Sequence, residues 1–201
     1  MNRFALLGKA RKTDADSSKT RRTPQTGGVL GPPPKEQRAP LAASQRASAS
    51  FALVLATWFG CGYFPWGPGT AGSLAAVLIA FALHVYGGAG RFVFLALTIV
   101  WLAPALWAST RAARITGKKD PGLVVIDEVL GQWLTLIGAT AYTWKNFLAA
   151  FLLFRFFDIW KPWPIRKIER LPEGYGIVCD DLAAGLYGAL ILYIGGLFRI
   201  S

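Results

Sequence analysis

The chain has 201 residues, 53% of them hydrophobic and 16% charged, with a formal net charge of +11. That length fits one domain, and the balance is more apolar than ordinary soluble usage, so the chain can bury a large core or meet lipid. The positive excess does not mark a nucleic-acid binder, because residues 1–50 hold ten Lys/Arg against three acids while the rest holds twelve against eight. The aromatic residues belong to apolar runs rather than to a basic groove.

Residues 1–50 are rich in Ser, Thr, Pro, Gly, Arg and Lys, include Gly31-Pro32-Pro33-Pro34 and lack a sustained apolar period. They are expected to form a disordered basic tail. The apolar stretch near the start is too short for a secretory signal, and an organelle transit peptide is the minor alternative for a segment of this composition.

From Phe51 the composition changes, with apolar runs at 51–64, 71–86, 92–108, 130–144, 147–154 and 182–198. Six helices in one domain, 51–201, are expected. None clearly reaches the ~18–20 residues of an unambiguous spanning helix, so length alone leaves open a soluble bundle. Trp66, Trp101, Trp107, Trp144, Trp160 and Trp163 lie near run ends, which favours a membrane interface over aromatic packing at bundle ends. Lys and Arg accumulate on the cytoplasmic side of membranes. If run 51–64 dips in or lies along the surface, the tail and the basic loops 111–119 and 155–170 share that side, with 87–90 and Lys145 opposite.

The stretch 64–73 reads Phe-Pro-Trp-Gly-Pro-Gly-Thr-Ala-Gly-Ser and leads into an apolar helix. Gly67 and Gly69 permit close backbone approach, the helix start offers amides to an anion, and Thr70 and Ser73 add hydroxyls. The same pattern also begins many helices with no ligand.

Rare acids are clustered. From residue 51 onward there are eight, and six of them are Asp120, Asp127, Glu128, Asp158, Asp180 and Asp181. Carboxylates beside lipid or apolar core are costly unless paired or bound to a cation. An all-oxygen donor set of Asp127, Glu128, Asp180 and Asp181 suits Mg2+ or manganese and disfavours zinc. The one histidine, His84, lies in an apolar run far from these acids and is read as structural.

Glu128, Gln132 and Thr135 fall on one stripe of a helix. First-turn complementing of the helix dipole accounts for Asp127 and Glu128 but not for the continuing stripe. For Asp180 and Asp181 an N-cap is the strong bland alternative. Arg155, Asp158 and Lys161 recur at three-residue spacing, as a salt-bridge ladder or as a clamp in which Arg155 and Lys161 hold phosphate. Cys61 and Cys179 have neither zinc nor CxxC spacing and are read as ordinary buried thiols. Gly67 and Gly185 occupy the positions where a cysteine-dependent phosphatase would carry its arginine.

Taken together, residues 65–73, Val125-Ile126-Asp127-Glu128 with Gly131-Gln132-Trp133, the block 154–165 (Phe-Arg-Phe-Phe-Asp-Ile-Trp-Lys-Pro-Trp-Pro-Ile), and Gly174-Tyr175-Gly176-Ile177 before Asp180-Asp181 resemble the phosphatidylglycerophosphatase A family. The resemblance covers about residues 51–198 and leaves out the tail. It implies an all-α, membrane-embedded bundle with a central helix surrounded by others. It also implies Mg2+-dependent removal of the terminal phosphate of phosphatidylglycerophosphate at the cytoplasmic face of a bacterial inner membrane. The residues it points to are Asp127, Glu128, Asp158, Asp180 and Asp181, with Asp158 left as ligand, base or nucleophile. A phospholipid substrate and the membrane are the expected partners, and a homo-oligomer is left open. The rivals are a metal-dependent lipid headgroup transferase, whose spaced Asp-Gly and Ala-Arg signature is missing, and a small transporter.

Overall fold

The computed structural model describes residues 43–198. Seven α-helices follow one another: α1 (Ala43–Ala56), α2 (Pro68–Gly87), α3 (Arg91–Thr116), α4 (Ile126–Leu136), α5 (Trp144–Trp160), α6 (Ile165–Ile168) and α7 (Glu173–Leu197), with a 3-10 turn at Cys61–Tyr63. No strand occurs among the described residues. The six apolar runs are all represented, and α6 is an addition, a single turn in the basic loop that apolar patterning does not detect. Helix α1 begins at Ala43, inside the stretch expected to lack structure; the rest of that stretch lies outside the described residues.

The helices overrun the apolar runs that announce them. Helix α2 starts at Pro68, whose missing N–H costs nothing in a first turn, and α7 starts at Glu173, two turns before its acids. As a result α2, α3 and α7 have 20, 26 and 25 residues and are long and apolar enough to cross a membrane. The expectation that no segment reaches spanning length is corrected, because polar and glycine residues continue the hydrogen-bond ladder beyond the apolar stretch. Large apolar side chains on these helices face outward, among them Phe92, Ile99, Val100 and Leu186, as a bilayer rather than water requires.

The short helix α4 sits at the centre, packed against α2, α3, α5 and α7. Nine of its 11 residues are buried, as expected of a helix apolar on every side but one. Small residues let α7 approach it. A side chain at Gly131 would strike the Asp181 carbonyl and Phe154, and one at Gly185 would strike the Gly131 carbonyl. Thr135 Oγ1 donates across this seam to the Gly185 carbonyl at 3.2 Å.

Helix α1 runs back along α3, with Phe51 against Trp107 at 6.0 Å and Trp58 against Trp101 at 5.1 Å. The chain then reverses through Trp58, Phe59 and Gly60, all at positive φ, and Gly62 packs on the Leu123 carbonyl. This segment enters the bundle and returns to the end it came from, in keeping with the reading of 51–64 as a stretch that dips in. Trp101 is therefore part of an interior cluster with Trp58 and Trp133, not an end residue, whereas Trp66, Trp107, Trp144, Trp160 and Trp163 are exposed.

The bundle has two distinct ends. One gathers the starts of α2, α4 and α7 with the ends of α3 and α5, as the contacts of Gly69 with Glu128 and Arg155, and of Gly174 with Thr110, require. The other gathers Gly88, Arg91, Ala139 and Tyr142, linked by Arg91 to the Ala139 carbonyl at 3.3 Å and by His84 against Tyr142 at 5.1 Å. His84 Nδ1 donates to the Ala89 carbonyl at 2.8 Å, a structural role as expected. Cys61 and Cys179 are free and half-buried rather than buried.

Candidate active site

Asp127 and Glu128 occupy the first turn of α4. Asp181 reaches them from α7, and one carboxylate oxygen from each of the three lies within 4.8 Å of the others. Asp127 and Asp181 are buried. Asp127 Oδ1, Glu128 Oε2 and Asp181 Oδ2 are all enclosed without a hydrogen-bond partner. Three carboxylates that bring oxygens within 4.8 Å of one another, each with a buried oxygen lacking a protein partner, fit a hard divalent cation, which prefers oxygen ligands. Without such a cation, burial pushes the Asp127 carboxyl up to about 7. Burial, with the neighbouring Asp127 charge second, pushes Glu128 well above the usual carboxylate range.

Asp180 and Asp181 are not N-cap residues. They lie in the third turn of α7, behind Glu173, so the capping alternative is overturned. Their side chains also diverge. Asp180 Oδ2 accepts from Lys161 Nζ at 2.7 Å, and its Oδ1 accepts from the Asp181 N–H at 3.0 Å. Of the four acids named as ligands, three converge and the fourth is committed to a lysine at their edge.

Arg155 Nη1 bonds Asp158 Oδ2 at 2.6 Å, and both side chains are largely shielded from solvent. Lys161 does not continue that ladder. It is the C-cap of α5 with φ 44, which swings it out of the helical row to lie between Asp180 and Glu169, at 2.7 and 3.1 Å. Burial works against its charge, but the two carboxylates outweigh burial and hold its pKa above the usual lysine value.

The glycine-rich start of α2 closes the site from the side. A Cβ on Gly69 would collide with Glu128 Oε1 and touch Arg155 Nη1, so glycine there lets both groups come in against the backbone. Gly67 is the N-cap at φ 155, in the left-handed region that glycine tolerates. Thr70 is exposed, and Ser73 is buried with its hydroxyl donated to the Gly69 carbonyl at 2.8 Å. At Gly69 the backbone and the Glu128 carboxylate come so close that no side chain fits between them.

Next to Asp180 and Lys161 opens a cleft of about 340 Å3, lined also by Lys119, Asp120, Arg166, Glu169 and Arg170; Asp127, Glu128 and Asp181 are not among its lining residues. Glu169, Arg166 and Arg170 line this cleft without having stood out in the sequence, where loop 155–170 serves as a basic loop that sets the membrane side. The signal available was an acid, Glu169, embedded among the cations 166, 167 and 170. Gln132, expected on the polar stripe, is fully buried with both amide atoms unpartnered.

Residues 54–195 match the family model of phosphatidylglycerophosphatase A. The phosphatidylglycerophosphatase A of Escherichia coli strain K12 is 35% identical over 144 residues, covering 71% of this chain and 82% of its own. That of Haemophilus influenzae is 36% identical, covering 70% and 85%. A Bacteroides thetaiotaomicron protein provisionally named phosphatidylinositol-3-phosphatase is 35% identical, covering 71% and 91%. No solved structure matches the chain. With the family model matched over residues 54–195 and three helices long and apolar enough to cross a membrane, this membrane protein belongs to the phosphatidylglycerophosphatase A family, a family of lipid phosphatases.

Proposed function

We propose that the chain is a Mg2+-dependent phosphatidylglycerophosphatase of the bacterial inner membrane that hydrolyses phosphatidylglycerophosphate to phosphatidylglycerol and phosphate. The observation that carries the metal dependence is the set of unpartnered oxygens on Asp127, Glu128 and Asp181. These three residues would hold the cation. When bound, it supplies Lewis-acid charge for the phosphoryl oxygens and for an attacking water.

The protein's own groups do the rest. Arg155, fixed by Asp158, offers the remaining donors of its fork to phosphoryl oxygens. Asp158 acts as the group that positions Arg155. Lys161 supplies positive charge at the mouth, held in place by Asp180 and Glu169. Water's oxygen forms the new bond to phosphorus, the bond from phosphorus to the terminal glycerol oxygen breaks, and a proton lost by the water is matched by one gained by that glycerol oxygen, giving phosphatidylglycerol and inorganic phosphate. The site faces the cytoplasm in this reading, since Arg111, Arg114, Lys118 and Lys119 and the cations of 155–170 share its end of the bundle, against Arg91 and Lys145 at the other.

The test is phosphate release by purified protein with and without Mg2+, offered phosphatidylglycerophosphate and phosphatidylinositol 3-phosphate side by side. Mg2+-dependent release with preference for the first substrate is expected. Release that survives exhaustive chelation would overturn the metal assignment, and preference for the inositol lipid would overturn the substrate.

A further inference from the structure

The active-site cleft does not end at its charged rim. It shares Ile159, Trp160 and Arg166 with a second groove of about 430 Å3, whose remaining lining residue is Phe156. Phe156, Ile159 and Trp160 stand on α5 and are 54%, 73% and 55% exposed, so the groove is an apolar channel on the outer surface of the bundle. Arg166 is the one charged residue common to both spaces. Its Nη2 reaches the Trp160 carbonyl at 3.4 Å, which holds the guanidinium at the junction and leaves most of its donors for a ligand.

We propose that Arg166 binds the phosphodiester of the lipid substrate, with the diacylglycerol lying in the α5 groove, so that substrate enters the cleft sideways from the bilayer. This rests on the phosphatase reading above. A phosphatidylglycerophosphate headgroup carries two phosphates separated by a glycerol: a monoester at the far end and a diester next to the chains. The protein presents the matching order. Asp180, next in the chain to the buried Asp181, lines the cleft with Lys161; Arg166 is shared by the cleft and the groove; and the groove's other lining residues are apolar.

Charge agrees with this placement. Lys161 is already engaged by Asp180 and Glu169, whereas the rest of the charged lining holds Lys119, Arg166 and Arg170 against Asp120. That excess suits a second anion, and Arg166 is its member nearest the chains. A planar guanidinium also suits the two unesterified oxygens of a diester better than an ammonium does.

The experiment compares wild type, Arg166→Ala and Arg166→Lys in two readouts. The first is KM and kcat on phosphatidylglycerophosphate. The second is equilibrium binding of short-chain phosphatidylglycerol, which keeps the diester and lacks the monoester. In Arg166→Ala, KM rises about 10- to 100-fold, as for loss of a charge-assisted hydrogen bond, with kcat changed less than about 3-fold. Phosphatidylglycerol affinity falls by a similar factor, and Arg166→Lys recovers part of both. If wild type releases phosphate but Arg166→Ala alters neither KM nor phosphatidylglycerol binding, the diester site is overturned while the phosphatase reading stands. If phosphatidylglycerol binding depends on Arg166 but no phosphate is released, the phosphatase reading falls and the diester site stands. A loss confined to kcat overturns the diester site as well, since it would place Arg166 at the reacting phosphate.

Discussion

The two ends of this bundle are made from the same helices and solve opposite problems. At the far end, polar groups are satisfied locally: Gly88 caps α2 in the left-handed conformation, His84 donates to the Ala89 carbonyl, and the rings of Phe81, Phe94, Tyr142 and Phe147 close the space. At the site end, oxygens of three buried carboxylates are left without partners. An unpaired buried charge is destabilising by several kcal/mol, so the two ends differ in how much their polar groups cost the fold.

That contrast can be broken most severely at the acids. Asp127→Asn and Asp181→Asn each remove a carboxylate from the trio. Disturbing a ligand's partner alone costs 10- to 100-fold, so phosphate release should fall by more than about 100-fold. The thermal stabilisation of wild type by Mg2+ should vanish in the same variants. Gly69→Ala comes next. Its methyl would displace Glu128 and Arg155 without touching the lipid-facing surface, and a misplacement of about 1 Å is worth about 100-fold in rate. Circular dichroism should report an unchanged fold.

Smaller effects sharpen the comparison. Asp127 takes up its proton more readily in the folded, metal-free protein than in the unfolded chain, where the ordinary value is 3.8. Its contribution to stability is therefore present below about pH 3.8 and lost as pH rises through about 7. The melting temperature of chelated protein should fall across that window, and Mg2+ should restore it most at the alkaline end. At the opposite end, His84→Phe keeps the ring packing and removes one hydrogen bond. It should lower stability by about 1 kcal/mol and change turnover less than about 2-fold. Arg114→Ala should be nearly silent in both assays, because its pair with Glu173 is exposed.

Much of this was readable from the chain because membrane helices and their loops are written in composition. The apolar runs, a helix beginning at Asp127 and Glu128, and the gathering of the basic loops at one end follow from polarity, whereas a central helix surrounded by others follows only from the family resemblance. Helix length was underestimated for a related reason. Polarity marks where a helix meets lipid, whereas hydrogen bonding marks where it ends, and α7 continues for two turns of Gly, Tyr and Cys before its acids. Those turns carry Asp180 and Asp181 from an expected cap to the interior.

Residue order alone carries an inventory: which residues bear charge in an apolar chain, and on which helix faces they repeat. How neighbours in that inventory part company depends on helix packing. Asp180 and Asp181 are adjacent, yet successive side chains on a helix point about 100° apart, so one faces Lys161 and the other faces α4. Lys161 likewise left its row because the end of α5 turned left-handed, and Gly69 met Glu128 because α2 packs across the start of α4. Each of these outcomes depends on where another helix lies, and no local spacing encodes that.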